Sequence, residues 1–320
     1  MPAYYVHHFS PFIVEFWHGV GIRWYGTAYV LGFIFGYQLF AWLARHGYSE
    51  LPVSKVADFI TGACLWGVLV GGRLGYALFY DFDGVLHDPL RIFRVWEGGM
   101  ASHGGVLGIV FYLLWYSRRH KVSMLGLGDN ITVVATIGVF FGRIANFING
   151  ELFGRITQVP WAIQFPKELY QDDGLAKKAV EACSAIDPKL ITPEAIVDAT
   201  QKSEPVRQAL SEILNPRHPS QLYEAGLEGL FLFVSLWLLR TKTRVPEGVV
   251  TGTFFILYAC VRIFGEMFRE PDAATAMLFG IELTRGQFLS LFMILLGIGF
   301  VVVAYKRGKP SPRPAATAAK

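Results

Sequence analysis

Residues 128–149 read Gly128-Asp129-Asn130-Ile131-Thr132-Val133-Val134-Ala135-Thr136-Ile137-Gly138-Val139-Phe140-Phe141-Gly142-Arg143-Ile144-Ala145-Asn146-Phe147-Ile148-Asn149. No ionisable side chain interrupts the run between Asp129 and Arg143. As a helix it is long enough to cross a hydrocarbon core of roughly 30 Å. Similar apolar runs lie near 22–44, 57–80, 101–117, 219–239, 248–268 and 286–305. The pattern predicts an all-α polytopic membrane protein of about seven transmembrane helices. Composition agrees: 53% of the 320 residues are hydrophobic and mean hydropathy is +0.39. Charged residues make up 17%, against about 25% in soluble domains. The Lys and Arg cap apolar runs and form no surface stripe, which argues against nucleic acid.

The third run is short. Its opening, Ser102-His103-Gly104-Gly105, reads as broken rather than helical. Basic residues set an orientation. Arg45, His46 and Lys55 follow the first run, Arg118, Arg119, His120 and Lys121 the third, Arg240, Lys242 and Arg244 the fifth, and Lys306, Arg307 and Lys309 the seventh. The alternate boundaries are mixed, as where Asp81, Asp83, Asp88 and Glu97 accompany Arg91 and Arg94. The positive-inside rule then predicts an N-terminus on the outer side and a cytosolic C-terminus.

Five segments follow: 1–21 on the outer side, helices over 22–149, a small mixed α/β head insertion at 150–217, helices over 218–305, and a disordered cytosolic tail at 306–320. The insertion opens on a Pro-bounded alternating run, Val159 to Pro166, that reads as a short strand. Helices are expected near 174–184 and 192–213, the second capped by Thr192 with Pro193 in its first turn. Residues 1–20 lack a basic n-region followed by an A-x-A site, so the first run reads as a retained helix. No internal repeat marks an inverted-repeat transporter. Cys64 and Cys260 lie in apolar runs and read as small buried side chains. Cys183 lies in a polar segment and reads as a free thiol. Neither a disulfide framework nor a metal site is indicated.

Ionisable groups inside spans are costly and face protein or a cavity. The second span carries Arg73, the fourth Arg143 with Asn146 and Asn149, the fifth Glu224 and Glu228, and the sixth Arg262, Glu266 and Arg269. Tyr258, Arg262, Glu266 and Arg269 recur as one polar stripe at helical spacing. Arg143 and Arg262 both lie 14 residues into outgoing helices, about 21 Å at 1.5 Å per residue. Arg73 reaches a similar level, and His103, Tyr25 and His218 sit at the outer ends of ingoing helices. One charged layer at the depth of outer-leaflet headgroups points to an anionic lipid entering from the side. Gly71/Gly75 and Gly138/Gly142 form G-x-x-x-G pairs that read as close helix packing.

The run Gly142-Arg143-Ile144-Ala145-Asn146-Phe147-Ile148-Asn149-Gly150-Glu151-Leu152-Phe153-Gly154-Arg155 resembles the signature of the prolipoprotein diacylglyceryl transferase family, G-R-x-[GA]-N-F-x-N-x-E-x-x-G. The resemblance extends to Arg23-Trp24-Tyr25-Gly26, Gly72-Arg73-Leu74-Gly75-Tyr76, Ser102-His103-Gly104-Gly105, His218-Pro219-Ser220-Gln221-Leu222-Tyr223-Glu224, and Arg262 through Asp272. The motifs keep the family's order over nearly the whole chain. The insertion, especially about 170–213, is longer than the family's usual head.

The resemblance implies attack of a preprolipoprotein's lipobox cysteine on the glyceryl carbon of phosphatidylglycerol, giving a thioether and glycerol phosphate. No cofactor and no metal is expected; the partners are phosphatidylglycerol, signal peptides bearing a lipobox cysteine, and the bilayer. A His near pKa 6.5 suits the thiol proton, and guanidinium groups suit the departing phosphate. On this basis His103 is the candidate general base, with water, Tyr25 or Tyr258 able to share the role. Its competing reading is a polar side chain satisfying backbone at a helix start. Arg143 and Arg262 are assigned to the phosphate; the competing reading pairs Arg262 with Glu266, and Arg143 with Glu151 or Glu224. Arg73 and Arg269 stand between the two roles. Asn146 is a headgroup hydrogen-bond partner, Glu151 an orienting carboxylate and Gly154 a backbone requirement. Glu224 and Glu266 support the arginines, and His218 reads as structural. A transporter would need polar groups continuing into the inner halves of helices four and six, which are almost uncharged. An intramembrane hydrolase would need a G-x-S-x-G or H-E-x-x-H motif, and the sequence has neither.

Overall fold

The computed structural model describes residues 4–17, 19–94, 98–270, 275–278 and 281–313. In chain order these form strands β1 (Tyr5–Val6), β2 (Phe12–Trp17) and β3 (Val20–Arg23), then helices α1 (Trp24–Arg45), α2 (Val53–Phe79), α3 (Phe82–His87), α4 (Ser102–His120) and α5 (Met124–Asn149). The insertion holds β4 (Ile163–Gln164), α6 (Asp173–Ser184), α7 (Pro193–Thr200), α8 (Glu204–Ser211) and β5 (Pro216–Arg217). Then come α9 (Ser220–Lys242), α10 (Val249–Gly265), strands β6 (Thr275–Leu278) and β7 (Ile281–Thr284), and α11 (Arg285–Arg307).

The molecule is mostly helical with small sheets, and among the described residues five helices are long and apolar enough to cross a membrane: α1, α2, α5, α9 and the Gly286–Arg307 stretch of α11. Between 17% and 33% of each span is buried within the protein. The remaining apolar surface requires another apolar solvent, as expected of a polytopic membrane protein. The shorter α10 is also apolar.

Two compact units divide the chain, and several helices contribute residues to both. The first comprises Met1–Gly32, Thr136–Val234 and Phe255–Leu296; the second comprises Phe33–Ala135, Ser235–Phe254 and Gly297–Lys320.

In the first unit β4 pairs in parallel with β1 and antiparallel with β5. This small sheet ties the N-terminal segment to both ends of the insertion. The insertion has its own core of Val6, Leu169, Ala179, Ile196, Val206 and Leu210. Cys183 is a free thiol, as expected, and lies fully buried in this core. The expected 192–213 helix is two helices. Thr192 caps α7 as expected, but Ser203 starts α8 by accepting from the Val206 amide, and Pro205, which has no N–H, occupies its first turn. The strand expected over 159–166 shrinks to Ile163–Gln164.

In the second unit Phe40, Leu43, Phe59, Tyr112 and Tyr116 form a buried cluster. Here α2 carries a π-helical stretch, Ala63–Val70, and packs on α4 through glycines. A Cβ on Gly71 would come within 2.8 Å of the Gly108 Cα, and one on Gly104 within 2.6 Å of the Gly75 Cα. The Gly71/Gly75 pair therefore acts in packing. The Ser102–Gly105 stretch is continuous first-turn helix, not a break, because Gly104 serves the contact and not a turn. In the first unit a Cβ on Gly32 would stand 3.1 Å from the Gly138 Cα, whereas Gly142 meets nothing within 4 Å, so only Gly138 of the Gly138/Gly142 pair serves close packing. Cys64 is half-buried and Cys260 exposed, against the expectation of burial. The tail expected to be disordered from 306 instead follows a defined path to Arg313: α11 continues to Arg307, and Lys309 accepts from the Glu247 amide at 2.9 Å. Residues 314–320 lie outside the described residues.

Candidate active site

The site in the first unit is built where α5, α9 and α10 bring six ionisable side chains together. Gly229 sets the approach of α9 to α5: a Cβ there would stand 2.7 Å from the Phe140 Cα. Glu224 and Glu228 flank the start of a π-helical stretch, Ala225–Phe231, a departure from regular helix that recurs at functional sites. Arg143 binds Glu228 Oε2 through Nη2 at 2.8 Å and Nε at 3.2 Å, and its Nη1 lies 3.0 Å from Glu224 Oε2. Arg262 reaches Glu224 at 3.0 Å, Glu228 at 3.4 Å and Glu266 at 2.5 Å. Arg269 reaches Glu224 at 3.4 Å. Three guanidinium groups thus share three carboxylates.

Exposure within this cluster is graded. The Glu224 and Glu228 side chains are 1% exposed and Glu266 5%, whereas Arg143, Arg262 and Arg269 keep 17%, 14% and 11%. The acids lie sealed beneath and the cations are partly open. This arrangement fixes guanidinium groups in advance and leaves N–H edges that an anionic ligand can reach. Tyr258, one turn before Arg262, lies within the field of Glu228, Arg143, Arg262 and Glu224. Arg269 lies beyond the end of α10 at Gly265, so the helical stripe stops short of it. Its guanidinium joins the cluster because its backbone bridges Gly154.

The signature loop leaves α5 through Gly150 (φ +63) and Leu152 (φ 56), both left-handed. Asn146 is buried and donates to Glu151 at 2.8 Å, with Asn149 donating to the same oxygen at 3.5 Å. Glu151 therefore orients the two asparagines. The His218–Glu224 segment clamps the loop: Ser220 donates to the Leu152 carbonyl at 3.0 Å and Gln221 to the Glu151 carbonyl at 2.7 Å. Gly154 donates to the His218 carbonyl at 2.9 Å. A Cβ on Gly154 would stand 2.7 Å from that oxygen and 2.8 Å from the His218 Cβ, so only glycine fits between these strands of backbone. His218 itself shares a 3.2 Å hydrogen bond with the Tyr223 hydroxyl, and burial lowers its pKa.

The comparisons with known proteins follow this geometry. A family model described as prolipoprotein diacylglyceryl transferase matches residues 11–303. The chain belongs to the prolipoprotein diacylglyceryl transferase family. It is similar to the phosphatidylglycerol–prolipoprotein diacylglyceryl transferase of Bdellovibrio bacteriovorus, 40% identical over 331 residues with 93% of each chain covered. The protein of the same description from Bradyrhizobium diazoefficiens is 38% identical, covering 95% of this chain and 94% of its own. That from Rhodospirillum centenum is 41% identical, covering 93% and 92%.

Within this transferase-family chain, Arg143, Arg262, Arg269, Glu224, Glu266 and Tyr258 gather as one cluster, with Asn146, Glu151 and Gly154 in the adjoining loop. Tyr25 is half-buried and packs on Tyr29 with centroids 5.4 Å apart; no described contact carries it to the arginines. Arg73 and His103 belong to the second unit. Arg73 is buried and donates to the carbonyls of Arg91, Ile92, Arg94, Gly98 and Gly99, which makes it the anchor of that loop. His103 is exposed in the first turn of α4. Sequence reasoning assigned no role to Glu228, although its i+4 spacing from Glu224 was the available signal. It also missed the buried pair of Arg217 with Glu168 at 2.6 Å in the insertion, which no local spacing announces.

Proposed function

We propose that this chain transfers the diacylglyceryl group of phosphatidylglycerol to the lipobox cysteine thiol of preprolipoproteins, the first step of lipoprotein maturation. The observation that carries the reading is the open face of Arg143, Arg262 and Arg269 above sealed carboxylates. The cysteine sulfur attacks the glyceryl carbon, the carbon–oxygen bond to phosphate breaks, and the bonding electrons leave with glycerol phosphate. The phosphodiester monoanion becomes a monoester that carries more negative charge. Preplaced guanidinium groups favour that change without reorganising. Arg143 and Arg262 take the phosphate oxygens, and Arg269 and Asn146 assist. Glu151, Glu224 and Glu266 hold these groups in position, and Gly154 holds the loop. Tyr258 or Tyr25 shares in the transfer of the thiol proton. Arg73 acts on the substrate through the loop that it anchors.

His103 takes the thiol proton; its exposed imidazole and its place in the family motif support that role. Seven membrane crossings are proposed, with α4 and α10 joining the five long spans. All four basic boundaries then face the cytosol and the insertion the periplasm of a bacterial inner membrane. The site lies near the outer leaflet. Mass spectrometry of a lipobox peptide incubated with the purified protein and phosphatidylglycerol tests the reaction. A diacylglyceryl mass gain that disappears in a Cys→Ser peptide is expected; no gain with folded protein and intact lipid would reject it. His103→Gln should lose most of that gain, and wild-type rates across pH 6–8 would remove His103 from the proton transfer.

A further inference from the structure

Beyond the arginine cluster, the first unit has a partly open cavity of about 200 Å³ between the N-terminal segment, the signature loop and the insertion. Its wall includes His7, Asn149, Gly150, Lys167, Tyr170 and Asp198. His7 is only 5% exposed and stacks among Phe9, Phe147 and Phe165. Nε2 finds no hydrogen-bond partner among the described residues. Burial pushes the His7 pKa down to about 4, so the ring is neutral. In the tautomer with its proton on Nδ1, Nε2 is an acceptor.

Asn149 supplies a second acceptor. Its amide nitrogen faces the Glu151 carboxylate, which fixes the orientation of the group, and its Oδ1 is buried without a partner. Lys167 is half-buried, makes no ion pair among the described residues, and feels Glu151 and Asp198 only at a distance. Buried polar atoms of this kind cost free energy until a ligand or water pairs them. A ligand that pairs all three must donate two hydroxyls and present an anion to Lys167.

We propose that this cavity binds glycerol phosphate, with hydroxyls donating to His7 Nε2 and Asn149 Oδ1 and the phosphate on Lys167. The inference rests on the transferase reading, in which that molecule is the polar product. Arg143 and Asn146 stand on the same helix and loop as Asn149 and Gly150. The signature thus has one side on the reaction centre and the other on a station for the leaving group. Asp198, exposed at the rim, opposes a bare anion, so the hydroxyls are needed to hold the ligand.

Phosphatidylglycerol carries the same phosphoglycerol group, and the test separates the two sources. Protein in phosphatidylcholine nanodiscs, without acceptor peptide, is titrated with glycerol 1-phosphate by calorimetry and ³¹P NMR. Saturable binding is expected, weakened about tenfold or more by Lys167→Gln, as one charge-assisted hydrogen bond implies, and restored by Lys167→Arg. Glycerol and inorganic phosphate should each bind at least about tenfold more weakly. Discs containing phosphatidylglycerol should leave the isotherm unchanged; displacement by the lipid would make its headgroup the occupant and overturn the assignment to free product. Equal binding by wild type and Lys167→Gln, or no binding up to about 10 mM, would reject the site. No transfer is measured here, so a negative result leaves the transferase reading standing. A failed peptide assay beside a positive isotherm would reject the reaction alone.

Discussion

Each unit buries a cluster of charges within its helices, and the two clusters are compensated in opposite ways. In the first unit charge meets charge: Arg143 and Arg262 share Glu224 and Glu228, and the arginines stay partly exposed. In the second unit Asp129 and Arg240 are met by fixed neutral groups, while the buried Glu247 is met by Lys309 at 3.2 Å. Asp129 is fully buried and accepts from the Gly248 amide, the Thr251 amide and the Thr251 hydroxyl at 2.8 to 2.9 Å. Arg240 is 1% exposed and donates to Asn130 Oδ1 at 2.8 Å and to the Tyr48 carbonyl. Backbone partners cannot change places without unfolding a helix end, so the second cluster acts as a fastening. Side-chain partners can be exchanged for a ligand of the same charge. A buried ion is therefore a site candidate when its partners are mobile and one face is open, not merely because it lies in a membrane.

The sharpest way to break this contrast is to remove a charge from each cluster. Arg143→Ala or Arg262→Ala should lower peptide transfer by about a thousandfold or more in protein that remains folded, since a preplaced donor is worth 10²–10³ and these also carry charge. Near-normal turnover by either variant would move that arginine to the structural class. Arg240→Ala should act on stability instead, leaving Asn130 Oδ1 unpaired in the interior and the Tyr48 carbonyl with the Asn130 amide alone. A loss of about 1–3 kcal/mol is expected, seen as a lowered thermal midpoint with turnover per folded molecule little changed. Selective loss of turnover at wild-type stability would erase the distinction between the clusters.

This contrast was only half legible in the chain. Long apolar runs announced the helices because a membrane span needs a contiguous segment, and that is a local property. Arg143, Arg262, Glu224 and Glu266 stood out because charge in such a run is costly. Asp129 and Arg240 did not: both sit at helix ends, where charges ordinarily face water, and only their tertiary partners show that they are buried. Arg240 was counted among the flanking charges that set orientation, yet its side chain is within the protein. The splitting of 192–213 was written in Ser203 and Pro205 but was outweighed by apolar spacing. The ordered path to Arg313 depends on Glu247, Lys309 and Thr241, partners far apart in sequence. His7 lay in a short aromatic segment with no periodicity to betray its burial.

His7 offers a third mode of compensation, neutralisation, and the smallest of the expected effects. Its folded pKa is depressed from 6.5 to about 4 by burial, so the unfolded segment binds a proton in a range where the folded one does not. Stability linked to this group is complete above the unfolded value and is lost as pH falls from about 6.5 toward 4. The change is up to roughly 3 kcal/mol, from 1.36 kcal/mol per unit of pKa. Hydrogen exchange across Ile163 to Arg217, which β1 ties to His7 through the sheet, should accelerate over that window. Wild-type and His7→Phe proteins would be compared at each pH, the variant having no imidazole to protonate. A flat wild-type profile, or the same acceleration in His7→Phe, would show that His7 tolerates its proton in the folded state.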